Sequence, residues 1–329
     1  MPPKTHDPTK PTVYLDTSTL ADAFEGLSVS ATSEQRRLQN YVTHVAKASN
    51  LVLSYFHLAE LTQWEHPEGR ARDVWLEGMP VVWSRFFAHV REDEDDHWLA
   101  LAMGAPDPPA IRVFAPSMLT AFEELTPEGA VDGLRHATVP AMAELLRVEP
   151  DVKYRRLGVN FLARFAADQE AIRAAHATPD QVEAEAAYRG SVELRKNAIA
   201  AHRRLAASSI AYRQLRLSEG GVQDPFVDFV AKTPSAVPIT RVTRAFTPGF
   251  ADTARRANRG RKRVRKAESA PLDFMHAAIG AAYCDIFTCD EETSAWLGNT
   301  RKDLGLSEQI ALGGAVSRRA FVQALERAL

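Results

Sequence analysis

Strand-then-helix alternation is confined to the two ends of this chain, and that placement limits its fold more than any other feature. Near the start, residues 12–15 (TVYL) form a β-branched and aromatic run that stops at Asp16. Such a run reads as a short strand. Polar Thr17-Ser18-Thr19 leads into LADAF, and a helix is expected over about residues 34–47. Thr32 and Gln35 have the spacing of a capping box at its start. Residues 51–54 (LVLS) read as a second strand and pass directly into the helical YFHLAELTQW. Near the end, PLDFMHAAIGAAY reads as a helix opening at Pro271, a residue type favoured in a first turn. CDIFTC, residues 284–289, reads as a strand that ends at Asp290. A helix (TSAWLGNTRKDL), a last strand (QIALGG) and a closing helix (SRRAFVQALERAL) follow.

Between these ends, residues 67–269 carry almost no strand signal. Alanine, leucine, arginine and glutamate dominate, with apolar positions at helical spacing. Thr178 and Gln181 open the longest periodic stretch, which extends to about residue 217. The acidic run EDEDD, containing Asp93–Asp96, and the following APDPP read as loop, the acids as a solvated turn. Neither end alone can close a sheet with both faces covered. The favoured reading is one α/β sheet built from residues 1–66 and 265–329 and interrupted by an all-α insertion at 67–264. The alternative is that the two ends belong to separate units. No internal repeat is evident.

The chain has 329 residues, 45% of them hydrophobic and 25% charged, the usual balance of a globular protein. Its net charge of −2 gives no overall attraction to polyanions, so a nucleic-acid surface has to come from charge placement. The two cysteines, Cys284 and Cys289, are too few for a disulfide framework or a zinc quartet and read as buried thiols. Residues 1–11 are polar and lack the apolar core of a signal peptide, and no apolar run approaches the roughly 18 residues of a membrane span. A cytoplasmic protein with no membrane association is expected.

Three acids lie where ligands bind in open α/β sheets. Asp16 and Asp290 directly follow strand ends, and Asp273 lies in the first turn of its expected helix. Glu60 lies within two turns of the start of the helix after the second strand. Each has a plainer role open to it: helix-dipole partner for Asp273, turn former or N-cap for the two that follow strands, surface charge for Glu60.

Three blocks together resemble the PIN-domain nucleases. VYLDTSTLADAF resembles that family's first strand and Asp, and LVLSYFHLAEL its second strand, with a Ser before a helix carrying Glu. PLDFMHAAIGAAYCDIFTCDEET resembles its Asp-led helix and the strand ending Thr-x-Asp, here Thr288-Cys289-Asp290. The resemblance covers about 65 residues at the start and 60 at the end. It implies a PIN-like parallel sheet sandwiched by helices. It also implies that Asp16, Glu60, Asp273 and Asp290 are the catalytic, metal-binding acids, with Thr288 in support. The family's small toxins have a short segment between the second and third acids, where this chain has 212 residues. That departure leaves a toxin role, and an antitoxin or other regulatory partner, open.

Crowded carboxylates repel one another unless a cation lies between them, and hard oxygen ligands favour Mg²⁺ or Mn²⁺. The expected activity is metal-dependent hydrolysis of phosphodiester bonds, leaving a 5′-phosphate and a 3′-hydroxyl as the resemblance implies. RNA is the expected substrate ahead of DNA. A basic run, RRANRGRKRVRK, lies just upstream of Asp273 with no acid in it. Arg255, Arg256, Arg259, Arg261, Lys262, Arg263, Arg265 and Lys266 are therefore candidates for substrate contact, against the plainer reading of a solvated linker. Tyr154, Arg155 and Arg156 read as ordinary helix surface. His276, three residues after Asp273, shares its helix face. It is a candidate to touch substrate or orient Asp273, or is simply a packed histidine. Trp64, Trp75, Trp83 and Trp98 read as core of the helical region. That region is expected to select substrate or to form a homo-oligomer.

Two further classes stand beside the ribonuclease: a non-catalytic RNA-binding or interaction protein on the same fold, and a DNA-acting, flap-type relative. A haloacid-dehalogenase-like phosphatase is disfavoured, because that family has a second Asp two residues after the first, where this chain has Ser18.

Overall fold

The computed structural model describes residues 4–63, 69–102, 105–123, 238–239, 241–242, 245–246, 261–298, 308–311 and 318–329. Six strands form one sheet: β1 (Thr12–Tyr14), β2 (Asn50–Leu53), β3 (Val82–Ser84), β4 (Phe114–Ala115), β5 (Ile286–Cys289) and β6 (Glu308–Ala311). Their spatial order is β4-β3-β2-β1-β5-β6. β1 pairs in parallel with β2, Val13 opposite Leu51, and with β5, Val13 opposite Ile286. The two ends of the chain thus meet in one sheet, as expected. The link is reinforced where the Thr12 amide donates to the Asp285 carboxylate at 2.7 Å.

The helices among the described residues are α1 (Thr17–Phe24), α2 (Ser33–Ala48), α3 (Tyr55–Gln63), α4 (Gly69–Gly78), α5 (Phe87–Ala102), α6 (Met118–Glu123), α7 (Arg261–Tyr283), α8 (Glu291–Gly298) and α9 (Arg318–Ala328). β1, β2, β3 and β5 are buried at every position, so alternate side chains on both faces are covered. α2 packs with β2, α1 and α9, while α7 packs with β5, α3 and α5. α2 shows why such elements form. Thr32 Oγ1 accepts the Gln35 amide at 3.2 Å and Gln35 Oε1 accepts the Thr32 amide at 2.9 Å, which completes the capping box. Leu38, Val42, Val45 and Ala46 make the buried stripe behind it. At the other end, Lys4 Nζ donates to the carbonyl of Ala46 at 2.9 Å and to that of Ser49, placing a cation at the helix C-terminus.

Several expectations need correction. Residues 67–269 are not free of strands, because β3 and β4 lie within them. The first sheet-forming part therefore extends beyond residue 66 to at least Ala115, and Trp83 is a buried residue of β3 rather than of a helical core. β4 runs antiparallel to β3, so the sheet is mixed and not purely parallel. EDEDD is not loop but lies inside α5. Asp93 there pairs with Arg85 at 2.6 Å and Arg112 at 3.1 Å. Glu94 is fully buried and pairs with Arg91 at 2.6 Å. α7 begins at Arg261, ten residues ahead of Pro271, so Asp273 lies midway along a long helix and not in its first turn.

The described residues near 240 join the same core. Ile239, Val242, Ala245 and Phe246 are buried, and Phe246 packs edge-on against Phe274 and Trp296 at 5.6 and 5.1 Å. Glu94 Oε1 accepts the Ile239 amide at 2.8 Å and the Tyr283 hydroxyl at 2.7 Å. Trp64, the stretch from Thr178 to about residue 217, and Tyr154, Arg155 and Arg156 lie outside the described residues. No helix among the described residues is long and apolar enough to cross a membrane.

Candidate functional site

The strand order reverses at β1. The chain steps outward through β2, β3 and β4, then returns to the other side of β1 as β5 and β6. In open α/β sheets the carboxyl ends of the strands flanking such a reversal leave a crevice. Asp16 lies just past the end of β1, and Asp290 immediately follows β5. α3, which follows β2, brings Glu60, and α7, which precedes β5, brings Asp273.

Each acid is held differently. Asp16 is half-buried and caps α1: its Oδ1 accepts from the Thr19 amide at 3.1 Å and the Thr19 hydroxyl at 2.5 Å, its Oδ2 from the Ser18 hydroxyl at 2.8 Å. Its amide donates to Thr288 Oγ1 at 3.0 Å, so Thr288 clamps the ends of β1 and β5 together. Burial raises the Asp16 carboxyl above the usual range, against the hydrogen bonds from Thr19 and Ser18 and the neighbouring His276. Asp290 is exposed, and its Oδ1 accepts the Thr293 amide at the start of α8 at 2.7 Å. The plainer role of N-cap is thus real for Asp16 and Asp290, and carboxylates at helix N-termini are stabilised there.

Asp273 has no such support. Among the described residues nothing donates a hydrogen bond to its carboxylate, and it is half-buried. Burial raises it well above the usual carboxylate range, and Asp290, Glu60, Asp16 and Glu292 each push it further. Asp16, Glu60 and Asp290 are therefore all within electrostatic reach of Asp273, and each opposes its negative charge.

Glu60 is held by His276, whose Nε2 lies 2.9 Å from Glu60 Oε2. His276 therefore contacts Glu60, not Asp273, and it is buried. Behind it runs a polar chain that sequence patterning did not single out. His276 Nδ1 bonds the Tyr14 hydroxyl at 2.8 Å, and that hydroxyl bonds Ser54 Oγ at 2.8 Å. Ser54 Oγ and the Ser54 amide both contact His57 Nδ1, at 3.0 and 2.8 Å. His57 Nε2 donates to the Leu15 carbonyl at 2.6 Å, which fixes the tautomer, since a carbonyl only accepts. Burial, then the nearby His276, holds the His57 imidazole well below its usual range, so it stays neutral. The available sequence signal was position alone: His57 sits one turn before Glu60, and Tyr14 sits in the strand that ends at Asp16.

Among the described residues, no group of three or more His, Cys, Asp or Glu side chains is arranged to hold a metal ion. The donor chemistry nevertheless fits a hard divalent cation: all four acids offer oxygen, and one of them is destabilised by the charge of the others. The cysteines offer no alternative. Neither is in a disulfide, both are buried, and burial pushes their thiols upward, away from the thiolate that binds metal. Of the basic run, Arg255, Arg256 and Arg259 lie outside the described residues. The backbone of Arg261, Lys262, Arg263, Arg265 and Lys266 lies in α7, and their side chains are outside what the structure describes. Comparison with protein-family models, with curated proteins and with solved structures finds no match to this chain.

Proposed function

We propose that this chain is a metal-dependent nuclease of the PIN type that hydrolyses RNA, with Asp16, Glu60, Asp273 and Asp290 holding Mg²⁺ or Mn²⁺. The observation that carries the reading is the crowding of Asp273. Burial first, and then acids from sequence-distant elements, raise its carboxyl near the point where the sheet order reverses. Such crowding is relieved either by a proton on Asp273 or by a cation shared among the acids, and a shared divalent cation is the reading favoured here. When bound, the ion would lower the pKa of a water and neutralise charge on the attacked phosphate. The chain's own part is to hold the four oxygen donors in place, Asp16 through the α1 cap and Thr288, Glu60 through His276. The basic run supports a nucleic-acid substrate. Lys266 precedes Asp273 on one continuous helix, about 10 Å away along its axis at 1.5 Å per residue.

The alternative of a non-catalytic interaction protein on the same fold draws on one fact: Asp16 and Asp290 already serve as helix caps. One assay separates the two. Wild type and Asp16→Asn are incubated with Mn²⁺ and structured RNA, with duplex and flap DNA in parallel, and product ends are sequenced. The nuclease reading expects RNA cleavage with 5′-phosphate ends, abolished by chelation and by the substitution. Equal activity in the two proteins, or no cleavage of any substrate, overturns it.

A further inference from the structure

The buried polar chain behind Glu60 is more elaborate than packing requires. A histidine at position 276 that only filled space would leave two nitrogens to satisfy in a dry environment, which is unfavourable. Here both nitrogens are used, and they face opposite ways: Nδ1 towards Tyr14, Nε2 towards Glu60. An ionised carboxylate only accepts, so Nε2 carries the hydrogen. In the neutral ring Nδ1 then accepts from the Tyr14 hydroxyl. Tyr14 itself is fully buried in β1 and accepts from the Ser54 hydroxyl, while the Ser54 amide donates to Nδ1 of the fixed His57 tautomer. The imidazole is also held by ring contacts, edge-on to His57 at 4.9 Å, to Tyr14 at 5.7 Å and to Phe56 at 6.0 Å. The outcome is directional. One oxygen of Glu60, Oε2, is committed to His276, and the side chain is only a quarter exposed.

We propose that His276 is a positioning residue: anchored by Tyr14 through Nδ1, it donates from Nε2 to Glu60 Oε2 and so fixes the orientation in which that carboxylate would meet the cation. The inference rests on the metal-dependent reading of the same site. Partners that orient a ligating carboxylate typically change metal affinity by 10- to 100-fold when removed.

The test compares four proteins, wild type, His276→Leu, His276→Asn and His276→Gln, by Mn²⁺ titration calorimetry on the full chain, with Asp16→Asn as control. Thermal melts without metal report folding. A glutamine amide nitrogen can replace Nε2, whereas an asparagine amide reaches only the Nδ1 side. The expected result is a 10- to 100-fold weaker Kd for Leu and Asn, with Gln within about tenfold of wild type. A merely structural role would lower the melts of Gln and Asn alike and would not separate their Mn²⁺ affinities. His276→Leu binding Mn²⁺ like wild type, or Gln and Asn weakening equally, overturns the positioning role while wild-type binding still upholds the metal site. Absence of wild-type binding, or wild-type binding unchanged in Asp16→Asn, overturns the metal site and this inference with it.

Discussion

Gly280→Ala is the substitution for which the structure gives the clearest sign. Gly280 lies on α7 where that helix packs onto β5. A Cβ there would stand 2.3 Å from Phe287 Cδ2, 2.8 Å from Cε2 and 3.0 Å from Cγ. Carbon atoms in contact prefer about 3.5–4.0 Å, so the overlap exceeds 1 Å and includes the ring's root as well as its edge. Phe287 has little room to retreat: it is 1% exposed and packs edge-on against Tyr14 at 5.7 Å. Overpacking of this kind costs about 1–3 kcal/mol. Against it stands the helix preference for alanine over glycine, worth roughly 1 kcal/mol. The net expectation is a loss of up to about 2 kcal/mol, at about 2–4 °C in Tm per kcal/mol for a unit of 150–250 residues. Asp273 and His276 sit one to two turns earlier on α7, so a helix lifted from β5 should also weaken the Mn²⁺ response. Urea melts of the variant, of Phe287→Leu and of the double variant measure this directly. The double variant should recover part of the loss, with a coupling of about 0.5–3 kcal/mol. A Gly280→Ala protein more stable than wild type, with no coupling to Phe287→Leu, would refute the packing of α7 on β5.

Asp273→Asn should raise the stability of the metal-free protein at neutral pH by about 1–3 kcal/mol, the usual penalty of a poorly satisfied buried group. The folded carboxyl titrates above its unfolded range, so its contribution is intact below about pH 4 and is lost as pH rises through the folded value. The gap between variant and wild type should therefore open between acid and neutral pH, and pH-dependent melts that stay parallel would count against the crowding. With Mn²⁺ at about 100-fold its Kd, wild type should gain about 2.7 kcal/mol and Asp273→Asn little or nothing. Glu94→Ala should cost about 3–5 kcal/mol by removing the carboxylate paired with buried Arg91, and a loss below 1 kcal/mol in chemical denaturation would show that the pair is not desolvated.

How far the sequence carried depended on the kind of order involved. The α2 capping box was legible because Thr32 and Gln35 are local partners at a fixed spacing. β1, β2 and β5 were legible because each is a compact apolar run closed by a polar residue. β4 escaped because it is only two residues long, and β3 because Trp83 within a tryptophan-rich stretch looks like helical core. EDEDD was misjudged because charge density suggests solvent, whereas Glu94 and Asp93 are neutralised by Arg91, Arg85 and Arg112, two of which come from outside the helix. α7 was shortened because Pro271 usually opens a helix and here lies within one. The link from Tyr14 to Ser54 and His57 was out of reach, since Tyr14 lies in β1 and the other two at the start of α3, and only the closed sheet brings them together.

The most direct measurement is anomalous diffraction at the manganese edge from crystals soaked in Mn²⁺. The account predicts a peak among Asp16, Glu60, Asp273 and Asp290, with at least three carboxylate oxygens at about 2.0–2.3 Å, and no peak there in Asp16→Asn crystals. A crevice without manganese in the wild-type crystals, or manganese bound by other residues, would contradict it.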